Sequence, residues 1–349
     1  MTALPPSAAS EPPPSAGTGT APALSERLAG LLFFPVTPYG ADGEVDVETY
    51  RVHVRRGIEA GAGAVFACCG TGEFHALAPE EYAECVAAAV AEADGRVPVV
   101  AGTGYGTALA RRFAALAQQA GADGLLAMPP YLVAPDQDGL VRHFEELAAA
   151  TDLDVVVYQR DNVRFTPAAA VRLARTPGVA GLKDGLGDLD LMQRIVSAVR
   201  TEAPEQARAF RYFNGLPTAE LTAPAYRAIG VSLYSSAAFC FVPEVALAFH
   251  RALLEGDDAT VEALLDGFFR PLVELRNQGR GYAVSLVKAG VRLRGLDVGG
   301  VRPPLAEPAP AHLEELAQLI EHGLALVGGP GAAQPGAPTG TEAGAGPAL

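Results

Sequence analysis

The sequence predicts an α/β protein, a (β/α)₈ TIM barrel with an appended C-terminal helical bundle. Eight short apolar runs bounded by Gly or Pro are typical of buried parallel strands. Ala-rich amphipathic stretches of helical length separate these runs. The units recur evenly between residues 24 and 241. Their number and even spacing favour a closed barrel over a doubly wound sheet, the main alternative.

The strands and helices follow from local patterns. The predicted strands are Gly30–Pro38, Gly63–Gly70, Val97–Gly104, Gly124–Pro130, Asp154–Arg160, Val179–Gly185, Phe210–Gly215 and Gly230–Ala237. Amphipathic stretches between them predict helices, including Pro79–Ala93, Thr107–Ala120 and Leu140–Ala150. Proline near a helix start, as in Thr166-Pro167, suits the first helical turn.

Four further stretches after the eighth strand predict the last barrel helix and the C-terminal bundle, over residues 242–326. They are Val242–Glu255, Thr260–Gln278, Tyr282–Arg294 and Ala311–Leu326. The ends of the chain, residues 1–23 and 327–349, are rich in Pro, Gly and Ala. Such composition offers too little apolar surface to offset the ordering entropy, so we expect two disordered tails.

Composition limits the class of partner. The formal net charge of −14 disfavours nucleic acid and anionic lipid. No uninterrupted apolar run is long enough to span a membrane, and no secretory signal is recognisable. The four cysteines show no CxxC spacing, which fits reduced core thiols in a cytoplasmic protein. The six histidines show no metal-binding spacing, so neither a metal nor another cofactor is expected.

Lysine is almost absent. Of the 26 Lys and Arg residues, only Lys183 and Lys288 are lysine. Arginine keeps its proton in proteins, whereas lysine can lose it and become an amine nucleophile. Lys183 ends the sixth predicted strand, where catalytic groups of such barrels lie. Lys288 falls in the middle of a predicted helix outside the barrel, so we expect it to be structural.

Burial in an apolar strand should lower the pKa of Lys183 and favour the neutral amine. The alternative is a structural lysine paired with Asp184, although adjacent strand residues face opposite ways. Tyr158 ends the neighbouring strand and is placed to shuttle protons; the alternative is a core tyrosine. Gly70-Thr71-Gly72-Glu73 follows the second strand as a tight turn. Its N–H groups and the Thr71 hydroxyl can hold a carboxylate.

Together, the GTGE turn, the strand-5 tyrosine and GLKDG at strand 6 resemble the Schiff-base aldolases and lyases that include dihydrodipicolinate synthase and N-acetylneuraminate lyase. The resemblance covers about residues 24–325. It implies Lys183 as the imine-forming lysine, Tyr158 as its hydroxyl partner, Gly70 and Thr71 as the carboxylate-binding turn, and a homotetramer.

Within that group the chain departs from dihydrodipicolinate synthase, which has Arg at the position of Val163 and Tyr at that of Leu132. The motifs TGEFHAL, VVYQRDN, GLKDGLGD, NGLPTAE and YSSAAFCFVPE are more similar to 5-dehydro-4-deoxyglucarate dehydratases. Those hydro-lyases convert a keto-sugar acid of glucarate catabolism, 5-dehydro-4-deoxy-D-glucarate, to 2,5-dioxopentanoate, water and CO₂. The resemblance then implies a substrate site that includes Gly215, Arg160, Asn162, Ser235 and Ser236.

Two other functions remain open at this stage. An aldolase or dihydrodipicolinate synthase-like lyase of the same fold would release or use pyruvate, and would begin from the same lysine. A non-catalytic sensor built on an inactive barrel would form no imine. Arg160 also has an alternative interpretation as a surface residue.

Overall fold

The computed structural model describes residues 23–328. The predicted tails, residues 1–23 and 327–349, lie outside this range except for residues 23, 327 and 328. Within it, eight parallel strands form a closed barrel in sequence order. The strands are β1 Leu32–Phe33, β2 Ala64–Ala67, β3 Val99–Thr103, β4 Gly124–Ala127, β5 Asp154–Gln159, β6 Val179–Asp184, β7 Arg211–Asn214 and β8 Leu233–Ser236. Strand β1 pairs with both β2 and β8, which closes the sheet and confirms the predicted fold.

One helix follows each strand around the barrel, after a short helix that precedes β1. In chain order they are α1 Leu24–Arg27, α2 Val47–Ala60, α3 Pro79–Ala93, α4 Thr107–Gln119, α5 Gln137–Ala148, α6 Pro167–Arg175, α7 Leu189–Glu202, α8 Ala223–Ala228 and α9 Pro243–Glu255. Short 3₁₀ turns lie at Phe74–Ala76, Gln206–Arg208, Ala219–Thr222 and Ala238–Cys240. The predicted Thr166-Pro167 start is confirmed, since Thr166 caps α6 by accepting the N–H of Ala169.

The C-terminal helices continue from α9 as α10 Asp258–Leu264, α11 Arg270–Asn277, α12 Tyr282–Leu293 and α13 Pro310–Val327. A π-helical turn, Leu265–Phe269, joins α10 to α11, so the single predicted helix over residues 260–278 is continuous but widened in its middle. Phe268 and Phe269 of this turn are fully buried. None of the helices in residues 23–328 is long and apolar enough to cross a membrane.

Two apolar layers hold the barrel together. The larger lies between the sheet and the surrounding helices. The smaller fills the barrel interior and includes Phe34, Phe66, Val156 and Phe213. Leu24 of α1 joins this interior layer, and its N–H donates to Asp154 at the start of β5 at 3.1 Å. Helix α1 therefore closes the N-terminal end of the barrel and leaves the opposite end for a site.

Candidate active site

A cavity of about 330 Å³ lies at the C-terminal end of the strands. Its lining combines strand ends with two C-terminal helices: Lys183 and Tyr158 come from β6 and β5, and Leu272 and Leu286 come from α11 and α12. The C-terminal helices therefore form part of the wall of the barrel mouth. A cavity of this size accommodates a small molecule.

Lys183 points into this cavity from β6. Its Nζ lies 4.3 Å from the ring centroid of Phe34 and 4.5 Å from that of Tyr158. Burial in this aromatic setting lowers the pKa of Lys183 to about 7, and the charge of Arg160 contributes in the same direction. About half of the amine is then neutral at pH 7, whereas an ordinary lysine is almost fully protonated. Lys183 is therefore equipped to attack a carbonyl carbon.

Asp184 faces away from Lys183. Its carboxylate accepts hydrogen bonds from Gln159 Nε2 at 2.8 Å and from the Tyr226 hydroxyl. Strands β5 and β6 pair Tyr158 with Lys183 and Gln159 with Asp184, so the alternation of side chains separates the two pairs. A structural Lys183–Asp184 ion pair is therefore absent among the described residues.

Tyr158 and Gly215 adjoin the lysine directly. The Tyr158 hydroxyl donates to the carbonyl of Gly215 at 3.0 Å, and the tyrosine also packs in the barrel interior. Burial raises the pKa of Tyr158, so the phenol stays protonated. A Cβ at Gly215 would lie 2.6 Å from Cε of Lys183, so the lysine side chain crosses a position that only glycine leaves free. Tyr158 can thus donate and recover a proton beside the amine.

The turn Gly70–Glu73 lines the cavity through Gly70 and Thr71. The Thr37 hydroxyl, from the segment that follows β1, donates to the Gly72 carbonyl at 2.7 Å and fixes the turn. No backbone carbonyl among residues 23–328 accepts a hydrogen bond from the N–H of Thr71, which lies in the turn. The turn leads into the three-residue 3₁₀ turn at 74–76, so the turn itself, and not an α-helix N-terminus, presents these donors.

Glu73 ties this turn to the C-terminal helices. Its carboxylate accepts from Nζ of Lys288 at 3.0 Å and from the N–H of Arg302 at 3.0 Å. Both side chains of the Lys288–Glu73 pair are fully buried, and Lys288 Nζ lies 4.0 Å from the ring centroid of Tyr39. This buried ion pair is what the predicted structural role of Lys288 requires. Its acidic partner, 215 residues away in the chain, was not predicted.

The remaining predicted substrate-binding residues divide into two groups. Gly215, Arg160 and Ser235 line the cavity, although Arg160 also pairs with Asp161 at 3.2 Å. Asn162 and Ser236 do not line it.

Hydrogen bonds account for the positions of these last two residues outside the cavity lining. Asn162 Nδ2 donates to the carbonyls of Pro130, at 3.2 Å, and of Val133, and so joins two loops. The Ser236 hydroxyl donates to the carboxyl of Glu220, whose pKa burial raises to about 7. Ser236 follows the cavity-lining Ser235 and faces the other side of the barrel wall, as strand alternation requires.

Two further basic residues line the cavity, and no motif in the sequence predicts them as site residues. His75 lies just beyond the GTGE turn, and Arg276 comes from α11. Together with Lys183 and Arg160 they give the cavity a basic character. No Asp or Glu from residues 23–328 lines it. The same residues contain no group of three or more His, Cys, Asp and Glu arranged to hold a metal ion.

Residues 27–323 match the model of the dihydrodipicolinate synthetase family. A Streptomyces coelicolor protein named "Probable 5-dehydro-4-deoxyglucarate dehydratase 1" is 71% identical over 311 residues, which cover 88% of this chain and 98% of that protein. A Bradyrhizobium diazoefficiens protein, named a probable 5-dehydro-4-deoxyglucarate dehydratase, is 47% identical over 84% of this chain and 91% of its own length.

Solved structures of similar fold include dihydrodipicolinate synthase from Bacillus clausii. It superposes with a TM-score of 0.77 at 28% identity and covers 85% of this chain and 98% of that one. Dihydrodipicolinate synthase from Thermotoga maritima gives a TM-score of 0.76 at 25% identity, over 85% and 99% of the two chains. With the family match extending over both the barrel and the C-terminal helices, this chain belongs to the dihydrodipicolinate synthetase family.

Proposed function

We propose that this protein is a 5-dehydro-4-deoxyglucarate dehydratase that works through a Schiff base on Lys183. The observation that carries the proposal is the lining of the cavity. Its buried lysine amine, with a pKa of about 7, shares with Arg160 and Arg276 a space that no Asp or Glu of residues 23–328 lines. A chain with a net charge of −14 thus places three of its Lys and Arg side chains at one pocket, which suits a dicarboxylate substrate. The names of the relatives point to the same substrate.

The proposed substrate is held by the carboxylate next to its ketone. That carboxylate, C6, accepts hydrogen bonds from the turn at Gly70 and Thr71, which brings the C5 ketone to Lys183. The amine attacks C5, and Tyr158 transfers protons as the carbinolamine loses water to form an iminium. Because Tyr158 stays protonated and lies beside the amine, it acts first as an acid in this exchange.

The iminium supplies the electron sink for both later bond cleavages. It acidifies the C4 proton, and loss of that proton gives an enamine whose electrons expel the C3 hydroxyl as water. The resulting C3=C4 bond is conjugated with the iminium. Cleavage of the C1–C2 bond then releases CO₂, and its electron pair moves through this conjugated system to the nitrogen. The enol at C2 becomes the aldehyde, and hydrolysis frees the product and Lys183.

Arg160 and Ser235, which line the cavity, are proposed to contact the C2 and C3 hydroxyls of the substrate. Given 5-dehydro-4-deoxy-D-glucarate, the enzyme should release one CO₂ per turnover and form 2,5-dioxopentanoate, with or without EDTA. Arg160→Ala should lose most of this activity. Formation of pyruvate without CO₂ would replace the proposal with an aldolase, and no imine at all would indicate a non-catalytic barrel.

We further propose a homotetramer in the cytoplasm. Support for the tetramer is the family resemblance alone. Support for the compartment is that Cys68, Cys69, Cys85 and Cys240 are all buried and unbridged, as in a reducing environment. Light scattering after size-exclusion chromatography tests the first part, and a mass other than four chains would contradict it.

A further inference from the structure

We propose that Arg276 of α11, together with Thr218, forms a second carboxylate subsite at the far end of the substrate. The inference rests on the proposed function for the identity of the substrate. It assigns to the C-terminal helices a part in selecting a dicarboxylate over a monocarboxylate.

The hydrogen-bond partners of Arg276 carry the argument. Its Nη1 donates to the Pro217 carbonyl at 2.8 Å and to the Thr218 hydroxyl at 3.0 Å, and Nη2 donates to Asn277 Oδ1 at 3.3 Å. Every one of these acceptors is neutral, and no carboxylate of residues 23–328 forms an ion pair with Arg276. Arg160, the other arginine of the cavity, already pairs with Asp161.

A guanidinium that is partly removed from water and lacks a counter-ion is costly to keep, so it is suited to an anionic ligand. Burial lowers the pKa of Arg276, which is consistent with this desolvation. The subsite also contains strain, because Thr218, a β-branched residue, has a φ of 56°. Strained residues of this kind are concentrated at ligand-binding sites.

The short loop from Gly215 to Thr218 limits how far Arg276 can lie from Lys183. Gly215 contacts the Lys183 side chain, and Thr218 contacts Arg276. Three Cα–Cα steps limit the separation of Gly215 and Thr218 to about 11 Å. In the proposed substrate, four carbon–carbon bonds separate the imine carbon from the distal carboxylate, a span of roughly 5 Å. A substrate attached at Lys183 can therefore bring that carboxylate towards Arg276.

The test compares ligands that differ at one end. 5-Dehydro-4-deoxy-D-glucarate carries the distal carboxylate, 2-dehydro-3-deoxy-D-gluconate has a CH₂OH there, and pyruvate lacks that part altogether. For each, the half-saturating concentration for imine trapping with cyanoborohydride is measured in the wild type and in Arg276→Gln. We expect the value for the dicarboxylate to rise about 10- to 150-fold, the usual worth of a charged hydrogen bond. Values for the other two ligands should stay within twofold of wild type.

Two further variants separate binding from folding. Arg280→Gln removes the same charge from an exposed position of the neighbouring loop and should change none of the three values. Arg276→Lys keeps a cation and should retain part of the preference for the dicarboxylate, which also provides a soluble variant if Arg276→Gln does not fold. An equal rise for all three ligands, or no rise for the dicarboxylate, would overturn the subsite.

The Arg276 subsite and the dehydratase reaction can each fail while the other stands. Wild-type enzyme that traps the dicarboxylate but releases no CO₂ would refute the dehydratase reaction while leaving the Arg276 comparison decisive for binding. Conversely, normal CO₂ release with an unchanged Arg276→Gln variant would refute the subsite and leave the reaction in place.

Discussion

Replacing Gly215 by alanine should displace the Lys183 amine and leave the amine itself chemically unchanged. The added Cβ would lie 2.6 Å from Cε and 2.7 Å from Cγ of Lys183, and 2.9 Å from the Asp184 carbonyl oxygen. Ordinary van der Waals contact begins at 3.4 Å, so Cε must move by about 0.8 Å to relieve the closest contact. The carbonyl belongs to β6 and cannot yield easily, because it lies in the paired sheet.

Two estimates of the rate lost in Gly215→Ala agree. Overpacking of this kind costs about 1–3 kcal/mol, which corresponds to roughly a 5- to 150-fold loss of rate if the strain falls on the reactive pose. A misplacement near 1 Å can itself cost about 10²-fold. The rate of imine trapping with pyruvate and cyanoborohydride, followed by intact mass, should therefore fall by one to two orders of magnitude.

Gly106→Ala is the matched control, because its Cβ would meet no atom within 4 Å. Circular dichroism of both variants measures the folded fraction, which suits a chain without tryptophan. A Gly215→Ala enzyme that is folded and traps pyruvate within twofold of the wild-type rate would refute the close packing of Lys183 against Gly215.

The other predictions concern the proton, the phenol and the buried ion pair. Because the pKa of Lys183 is lowered to about 7 and only the neutral amine reacts, the trapping rate with pyruvate should rise with pH up to about 7 and level off above it; a rise continuing to pH 10 would contradict this. Tyr158→Phe should fold normally and lose about 10²- to 10⁴-fold in kcat, and a loss under threefold would remove Tyr158 from the mechanism. Lys288→Met leaves the Glu73 carboxylate buried without its cation and should reduce the free energy of unfolding by about 3–5 kcal/mol in urea. Lys288→Met combined with Glu73→Gln should recover part of that loss, and a double variant less stable than the single one would refute a charge-based origin.

The sequence was sufficient for the elements that depend on local patterns. Helix α3 has the bounds that its apolar spacing and its proline start predict, Pro79–Ala93. Lys183 and Tyr158 could be assigned to one site because parallel strands end on the same side of a barrel, and the register pairs them directly. Strand alternation also predicts that Ser236 faces away from the cavity when Ser235 lines it.

The contacts that local sequence patterns do not predict depend on how segments far apart in the chain pack together. Arg276 lies on a helix more than 90 residues after Lys183, and nothing in its local sequence shows that α11 returns to the barrel mouth. Glu73 and Lys288 form a pair only because α12 packs beside the GTGE turn. Asn162 follows a strand end, but the conformation of its loop directs the amide to the carbonyls of Pro130 and Val133. These contacts follow from tertiary packing, which periodicity does not specify.

Reduction of the enzyme with cyanoborohydride during turnover of 5-dehydro-4-deoxy-D-glucarate tests the central claim most directly. After proteolysis, mass spectrometry identifies both the residue that carries the adduct and the carbon skeleton of the trapped intermediate. The account predicts an adduct on the peptide containing Lys183, with the mass of a reduced intermediate that has lost water and CO₂. An adduct on Lys288, or a reduced pyruvate unit on Lys183, would contradict it.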